Sequence, residues 1–186
     1  MPLVKHGRVV ADSYVRVADD APVGGDSAVI VPAVRFLADA DRLARRAAPT
    51  GVLWPNDRRI AELVPWLDRL ALVALVFPSF RDGRAYSQAR QLRERYDFRG
   101  ELRATGDVLR DQFLFLIRAG FDALEVKKDA DAAAFAAAVG RYSVFYQPSA
   151  DGRAPMARRR LLSRPERNAA VVMQSACSAP AIADSD

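Results

Sequence analysis

The chain has 186 residues, a single Cys, a single His and a formal net charge of +5 at pH 7. Half of it is apolar (51%), which suits one globular domain with a real core, and no window approaches the roughly 20 apolar residues of a membrane helix. A lone Cys177 and a lone His6 exclude an intramolecular disulfide, a thiolate cluster for zinc or iron–sulfur, and any Ser-His-Asp or Cys-His site built without His6.

The opening run MPLVKHGRVVADSYV lacks the apolar centre and small-residue cleavage site of a secretory signal, so a cytoplasmic location is expected. Residues 3–17 read as a β-hairpin that turns at His6-Gly7, which makes His6 a surface turn residue. Residues 19–27 are a loop by composition. Residues 29–31 (VIV) form a buried strand stopped by Pro32, followed by a helix over roughly 34–47 that turns Phe36, Leu37 and Leu43 inward. Pro49-Thr50-Gly51 breaks the chain before a short strand at 52–54. Pro55 with Asn56 or Asp57 opens the next helix, where Ile60, Leu63, Val64, Leu67 and Leu70 recur at helical spacing and Pro65 marks a kink or boundary.

Residues 71–77 (ALVALVF) are continuously apolar, as a central parallel strand covered on both faces should be. Pro78 and Asp82-Gly83 end it, and a helix over about 84–96 follows, with Ala85, Ala89, Leu92 and Tyr96 on one face. After Gly100 comes a strand at 101–105. Gly106 turns the chain, Asp107 is placed to cap a helix ending near Ala119, and Gly120 takes the left-handed position behind it. A strand over 121–126 and an Ala-rich helix over 129–139, with Phe135 and Val139 inward, complete the alternation. Residues 142–146 are either a last strand or a packed terminal segment. The expected class is α/β: a β-hairpin (3–17) and about five β/α units (29–140) in one domain, 1–147, with a mostly parallel sheet. The arrangement expected first is an open doubly wound, Rossmann-like sheet, with a partial barrel as the alternative.

Residues 141–186 hold 7 basic and 4 acidic side chains, against 21 and 19 in residues 1–140. The excess lies in Arg153, Arg158, Arg159, Arg160, Arg164 and Arg167. Pro, Ser, Ala and Arg content makes 148–186 a basic, disordered tail in expectation. No aromatic residues interleave with these arginines, so a nucleic-acid contact is the weaker reading of the run.

Packing explains the stretch from Phe77 to Gln112 least well. In a parallel sheet, two strand-to-helix turns fall at the carboxyl edge, where α/β proteins bind ligands. The first carries Ser79, Arg81, Asp82, Gly83 and Arg84, with Tyr86, Ser87 and Gln88 in the helix behind; the second carries Gly106, Asp107, Arg110, Asp111 and Gln112. Glu125 ends the next strand at the same edge. Helix N-termini and arginine forks there suit an oxyanion or a polar ligand. The same residues also suit a scaffold, with Asp82 and Asp107 as caps and Arg110 pairing with one of them to fasten the turns. No G-x-G-x-x-G or G-x-x-x-x-G-K-[ST] run supports a nucleotide site.

The run DGRAYSQARQLRERYDFRGELRATGDVLRDQ, followed by AGFDALEV, resembles a bacterial family of unknown function, DUF934. The resemblance extends from PLVKHGRVVADSYVRV to about Tyr146, is most specific over 70–126 and leaves out the tail. Members are typically encoded beside assimilatory sulfite reductase and labelled probable oxidoreductases of sulfite reduction. The resemblance therefore implies a role in sulfate assimilation, with sulfite reductase or a neighbouring enzyme of that route as partner. This chain has no Cys set for siroheme or an iron–sulfur cluster and no standard NAD or flavin motif, so the six-electron chemistry is expected on another protein. The leading expectation is an accessory protein that binds an oxyanion or docks on the reductase. The alternative is a small α/β oxidoreductase using Arg81, Asp82, Arg84, Tyr86, Ser87, Gln88 and Arg110.

Overall fold

The structure is a computed structural model and describes residues 1–128 and 130–162. It divides into two units: Met1–Ser143 with Ser149–Arg153, and Val144–Pro148 with the chain from Ala154 onward. The first unit holds one eight-stranded sheet. Its strands are β1 (Leu3–Lys5), β2 (Arg8–Val10), β3 (Val15–Arg16), β4 (Val29–Pro32), β5 (Thr50–Trp54), β6 (Leu72–Phe77), β7 (Glu101–Gly106) and β8 (Ala123–Glu125). They lie in the order β2-β1-β8-β7-β6-β5-β4-β3.

From β3 to β8 each strand pairs in parallel with the next in sequence. From β3 to β8 the order never reverses, as a doubly wound sheet would require, so the sheet takes the alternative arrangement, a partial barrel, curled into a half-barrel. Right-handed crossovers between consecutive neighbours put the helices that join them on the same face. The packing shows it: Val31, Val52, Val73, Leu75, Leu102 and Leu124 form one large core with the helical residues Phe36, Leu63, Leu92, Phe113 and Phe135. Residues of opposite parity, Ile30, Leu72 and Ala74, form a separate small cluster on the other face. Arg16 on β3 reaches Glu125 on β8 (2.6 Å), five strands away. In a flat sheet that separation is roughly 24 Å, at about 4.8 Å per strand, so this contact requires the helix-free face to be concave.

The helices are α1 (Ala33–Ala38), α2 (Ala40–Ala44), α3 (Arg84–Arg90), α4 (Phe113–Arg118) and α5 (Ala130–Gly140). The single helix expected at 34–47 is split at Asp39, whose carboxylate accepts from Arg42 Nε (2.8 Å). Ile60–Arg69 is a 3₁₀ rather than an α-helix. Pro65 removes one backbone donor there, and Ile60, Leu63 and Leu67 reach the core at nearly threefold spacing. α3 runs on into a π turn at Gln91–Arg95 that buries Leu92.

The hairpin is confirmed for residues 3–10, with His6 (φ 49°) and Gly7 (φ 78°) in the doubly left-handed turn that joins β1 and β2. The expected second arm does not stop there. Val15–Arg16 leaves the hairpin and pairs in parallel with β4 at the far edge of the sheet. Residues 11–14 are thus a strap from one edge to the other. Residues 142–146 form no strand. In the second unit, Met156–Leu162 is a helix (α6), and the Met156 N–H donates to Phe145 O (2.7 Å). The expected tail is therefore helical in this part; residues 163–186, Asp129 and the Val139 side chain lie outside the described residues. No described helix is long and apolar enough to cross a membrane.

Candidate functional site

β6 and β7 are adjacent and parallel, so the turns behind them open at one edge. Gly106 ends β7 at φ 97°, and the Asp107 N–H that follows donates to Phe77 O (2.8 Å). This turns the Asp107 side chain back across the gap, where Oδ2 accepts from the Phe80 N–H (3.0 Å) and Oδ1 from Lys127 Nζ (2.9 Å). Gln112 completes the clamp: its Nε2 donates to Phe80 O (2.9 Å), while its Oε1 accepts from the Leu109 N–H (3.1 Å). The turns are fastened to each other as the scaffold reading has it, but by Asp107 and Gln112. Arg110 pairs with Asp131 at the start of α5, not with Asp82 or Asp107. Asp107 caps no helix, because α4 begins only at Phe113, after a 3₁₀ turn at Arg110–Gln112.

Asp82 accepts from the Arg84 N–H (3.2 Å) and from Arg84 Nη2 (2.6 Å), so it does secure the start of α3. Hydrogen bonds from Arg84 hold its carboxyl far below the usual range; Lys127, then the Phe80 N–H, lower that of Asp107. Burial, with the Asp111 charge adding to it, pushes the Tyr86 phenol up to about 12, and its ring packs edge-on against Phe77 (5.3 Å). Gln88 is buried and donates through Nε2 to Arg58 O (2.9 Å) and Pro55 O (3.2 Å). Gly83 precedes α3, and Ser87 is exposed on it. Gln88→Ala is expected to destabilise the fold by about 1–3 kcal/mol in urea titration, because both carbonyls lose their donor.

What remains outward at this rim is apolar and cationic. Phe80 is 43% exposed and Phe115, one helical turn from Gln112, is 64% exposed. The Arg81 guanidinium lies over the Phe80 ring, 5.4 Å from its centre, and among the described residues it pairs with no carboxylate. The carboxyl ends of β4, β5 and β6 frame a largely apolar cavity of about 580 Å³ between Pro32, Val34, Arg35, Leu53, Pro55 and Val76. A second cavity of similar size, at the amino ends of the strands, includes His6, Arg93, Asp122 and Arg153.

Glu125 belongs to a different constellation. Glu101, Arg103 and Thr105 alternate along β7 on the concave face, and Glu125 faces them from β8. Arg103 is 1% exposed and donates through Nη1 and Nη2 to Asp12 (2.6 and 3.1 Å), and through Nε to Glu101 (2.9 Å). Thr105 Oγ1 donates to Glu125 (2.6 Å), Arg16 reaches both, and Lys5 pairs with Glu101. Burial lowers the affinity of Arg103 for its proton, but the Asp12 hydrogen bond and the Glu101 charge more than reverse this. Three cations face three carboxylates. The signal was legible in Glu101-x-Arg103-x-Thr105, since polar residues at alternate positions of a central parallel strand need partners on one face. Among the described residues no group of three or more His, Cys, Asp or Glu side chains is arranged to hold a metal ion.

A family described as bacterial protein of unknown function (DUF934) matches residues 51–157, more than half of the chain. The protein belongs to the DUF934 family. The matched region begins later than the sequence resemblance and extends past Tyr146 into the start of α6, so it includes both turns, the β7 stripe and Glu125. The hairpin and the strap that complete the ionic network of this DUF934 protein lie before it. No curated protein matches the chain significantly.

Proposed function

We propose that this DUF934 protein is a cytoplasmic accessory component of sulfate and sulfite assimilation that works by docking on a partner enzyme, with sulfite reductase as the leading candidate. The observation that carries the docking reading is exposed Phe80 with Arg81 stacked on it, on a turn that Asp107 and Gln112 hold in place, while Phe115 is exposed on α4, one helical turn past Gln112. Large exposed rings beside an arginine are the residue types on which interfaces concentrate their binding energy, and a rigid presentation lowers the ordering cost of association. Arg81 favours an acidic surface on the partner, or an oxyanion held at the contact. The assimilation context rests on the family resemblance.

The alternative, a small oxidoreductase working at the same edge, draws less support. Asp82 and Asp107 are held low and Tyr86 high, so none of the three changes protonation near neutral pH, where a general acid or base should be poised. Affinity capture from cells grown on sulfate tests the docking reading. The wild-type protein should retain sulfite reductase, and Phe80→Ala combined with Arg81→Glu should weaken retention at least tenfold, about 1.4 kcal/mol or more. Equal capture by both proteins would reject the surface. No capture of the reductase, with normal growth of a deletion strain on sulfate, would reject the function.

A further inference from the structure

The strap at residues 11–14 is fastened to the concave face by side chains. Its one hydrogen-bonded N–H among the described residues, that of Tyr14, donates to the strap's own Asp12 (3.1 Å); ladder bonding resumes at Val15. Asp12, Tyr14 and Arg16 alternate inward along this extended segment and meet the alternating stripe of β7. The fork of Arg103 is filled by the Asp12 carboxylate, and the Tyr14 ring lies 5.6 Å from its guanidinium carbon. The same ring packs against Ile30, Leu72 and Ala74, the apolar patch of the concave face. One buried guanidinium therefore receives a carboxylate at its edge and lies over an aromatic ring, which in turn packs on an apolar patch. An arginine recognises a small aromatic acid in this way.

We infer that the concave face of the half-barrel is a binding site for a small aromatic carboxylate, centred on Arg103, and that Asp12 and Tyr14 of the strap occupy it in this structure. The charges define the ligand further. With Asp12 lifted away, Lys5, Arg16 and Arg103 face only Glu101 and Glu125, so a single negative charge restores balance. The Arg16 side chain, 47% exposed, leaves the face open to solvent beside the strap. A strap held by side chains can exchange with a ligand that supplies the same two groups, whereas a laddered strand would first have to break its backbone bonds. This site is independent of the rim at Phe80.

Benzoate is the probe, with the full chain as wild type and as Asp12→Asn. The Asn keeps the shape of Asp12 and its acceptor for the Tyr14 N–H but removes the competing charge. Isothermal titration should show benzoate binding Asp12→Asn at least tenfold more tightly than wild type, with a clearly smaller gain for acetate, which has no ring. In the wild type, saturating benzoate should shift the Tyr14 ring resonances in NMR spectra, as the ring leaves the Arg103 guanidinium and the patch of Ile30, Leu72 and Ala74. Tyr14→Ala, which leaves the ion pairs in place, provides the same comparison should Asp12→Asn fold poorly, and it too should bind benzoate more tightly than wild type. Equal benzoate affinity in wild type and variant, equal gains for acetate and benzoate, or unmoved Tyr14 resonances would each overturn the inference.

Discussion

Replacing Arg103 by Ala should remove about 3–5 kcal/mol of folding stability at pH 7, the range for breaking a buried ion pair from one side. Its guanidinium is 1% exposed and serves Asp12, Glu101 and Glu125 together. Without it, Lys5 and Arg16 face three carboxylates, two of which, Glu101 and Glu125, are largely shielded from water. Arg103→Lys should lose less, because it keeps the charge but cannot offer two parallel N–H groups to Asp12. The midpoint of urea unfolding measures both. A wild-type midpoint for Arg103→Ala would mean that the network contributes nothing to holding the strap.

The same substitution carries a pH signature. Burial pushes the Asp12 carboxyl up, but the Arg103 hydrogen bond, the Tyr14 N–H and the nearby guanidinium charges together outweigh it, and the net direction is down. A carboxyl held low in the folded state contributes stability above its unfolded value, and that contribution disappears as pH falls through the folded one. The wild type should therefore lose stability on acidification more steeply than Arg103→Ala, which has already lost this contribution. The two stability curves should converge once the carboxyls are protonated. Parallel curves from pH 7 to pH 3 would show that Asp12 draws no stabilisation from Arg103.

The β/α alternation was legible because its signals are local. An apolar run such as ALVALVF, bounded by Pro78 and followed by Asp82-Gly83, specifies a buried strand and its exit without reference to distant residues. The strand order was not legible, since doubly wound and singly wound sheets share the same local pattern and differ only in which edge each new strand joins. Residues 3–17 illustrate the limit. Alternation along GRVVADSYVRV fits a hairpin arm, yet two of its residues, Val15 and Arg16, pair with β4 at the other edge, because register there is set by the partner strand. Candidate site residues fared likewise. Asp107, Gln112 and Arg110 were identifiable as turn chemistry from their types, but their partners lie 20 to 32 residues away and depend on the curl of the sheet. The stripe Glu101-x-Arg103-x-Thr105 signals a polar face on its strand, but the partners of Arg103, Asp12 and Glu125, lie 91 and 22 residues away. Only the concave face, once the strap crosses it, makes that arginine the centre of an ionic network.

Replacing Gly106 by Ala should destabilise the protein by about 2–3 kcal/mol and disorganise the rim at Phe80 as well. At φ 97° an L side chain is strained by about 1–2 kcal/mol. The added methyl would lie 2.4 Å from Phe77 O and 3.1 Å from its carbonyl carbon, backbone atoms of the neighbouring strand that cannot rotate away. Relief requires the end of β7 to swing from β6, and the hydrogen bond from the Asp107 N–H to Phe77 O (2.8 Å) is then lost, at about 1 kcal/mol. Asp107 is the side chain that holds the Phe80 N–H, so the displacement passes directly to the exposed ring and to Arg81. Gly25→Ala is the matched control: nothing lies within 4 Å of its added methyl, and its effect should stay within about 0.5 kcal/mol. At a temperature where both variants remain folded, Gly106→Ala should weaken partner capture while Gly25→Ala does not. Full capture by a destabilised Gly106→Ala would separate the rim from the end of β7 and leave the Asp107 clamp without a role in presenting Phe80.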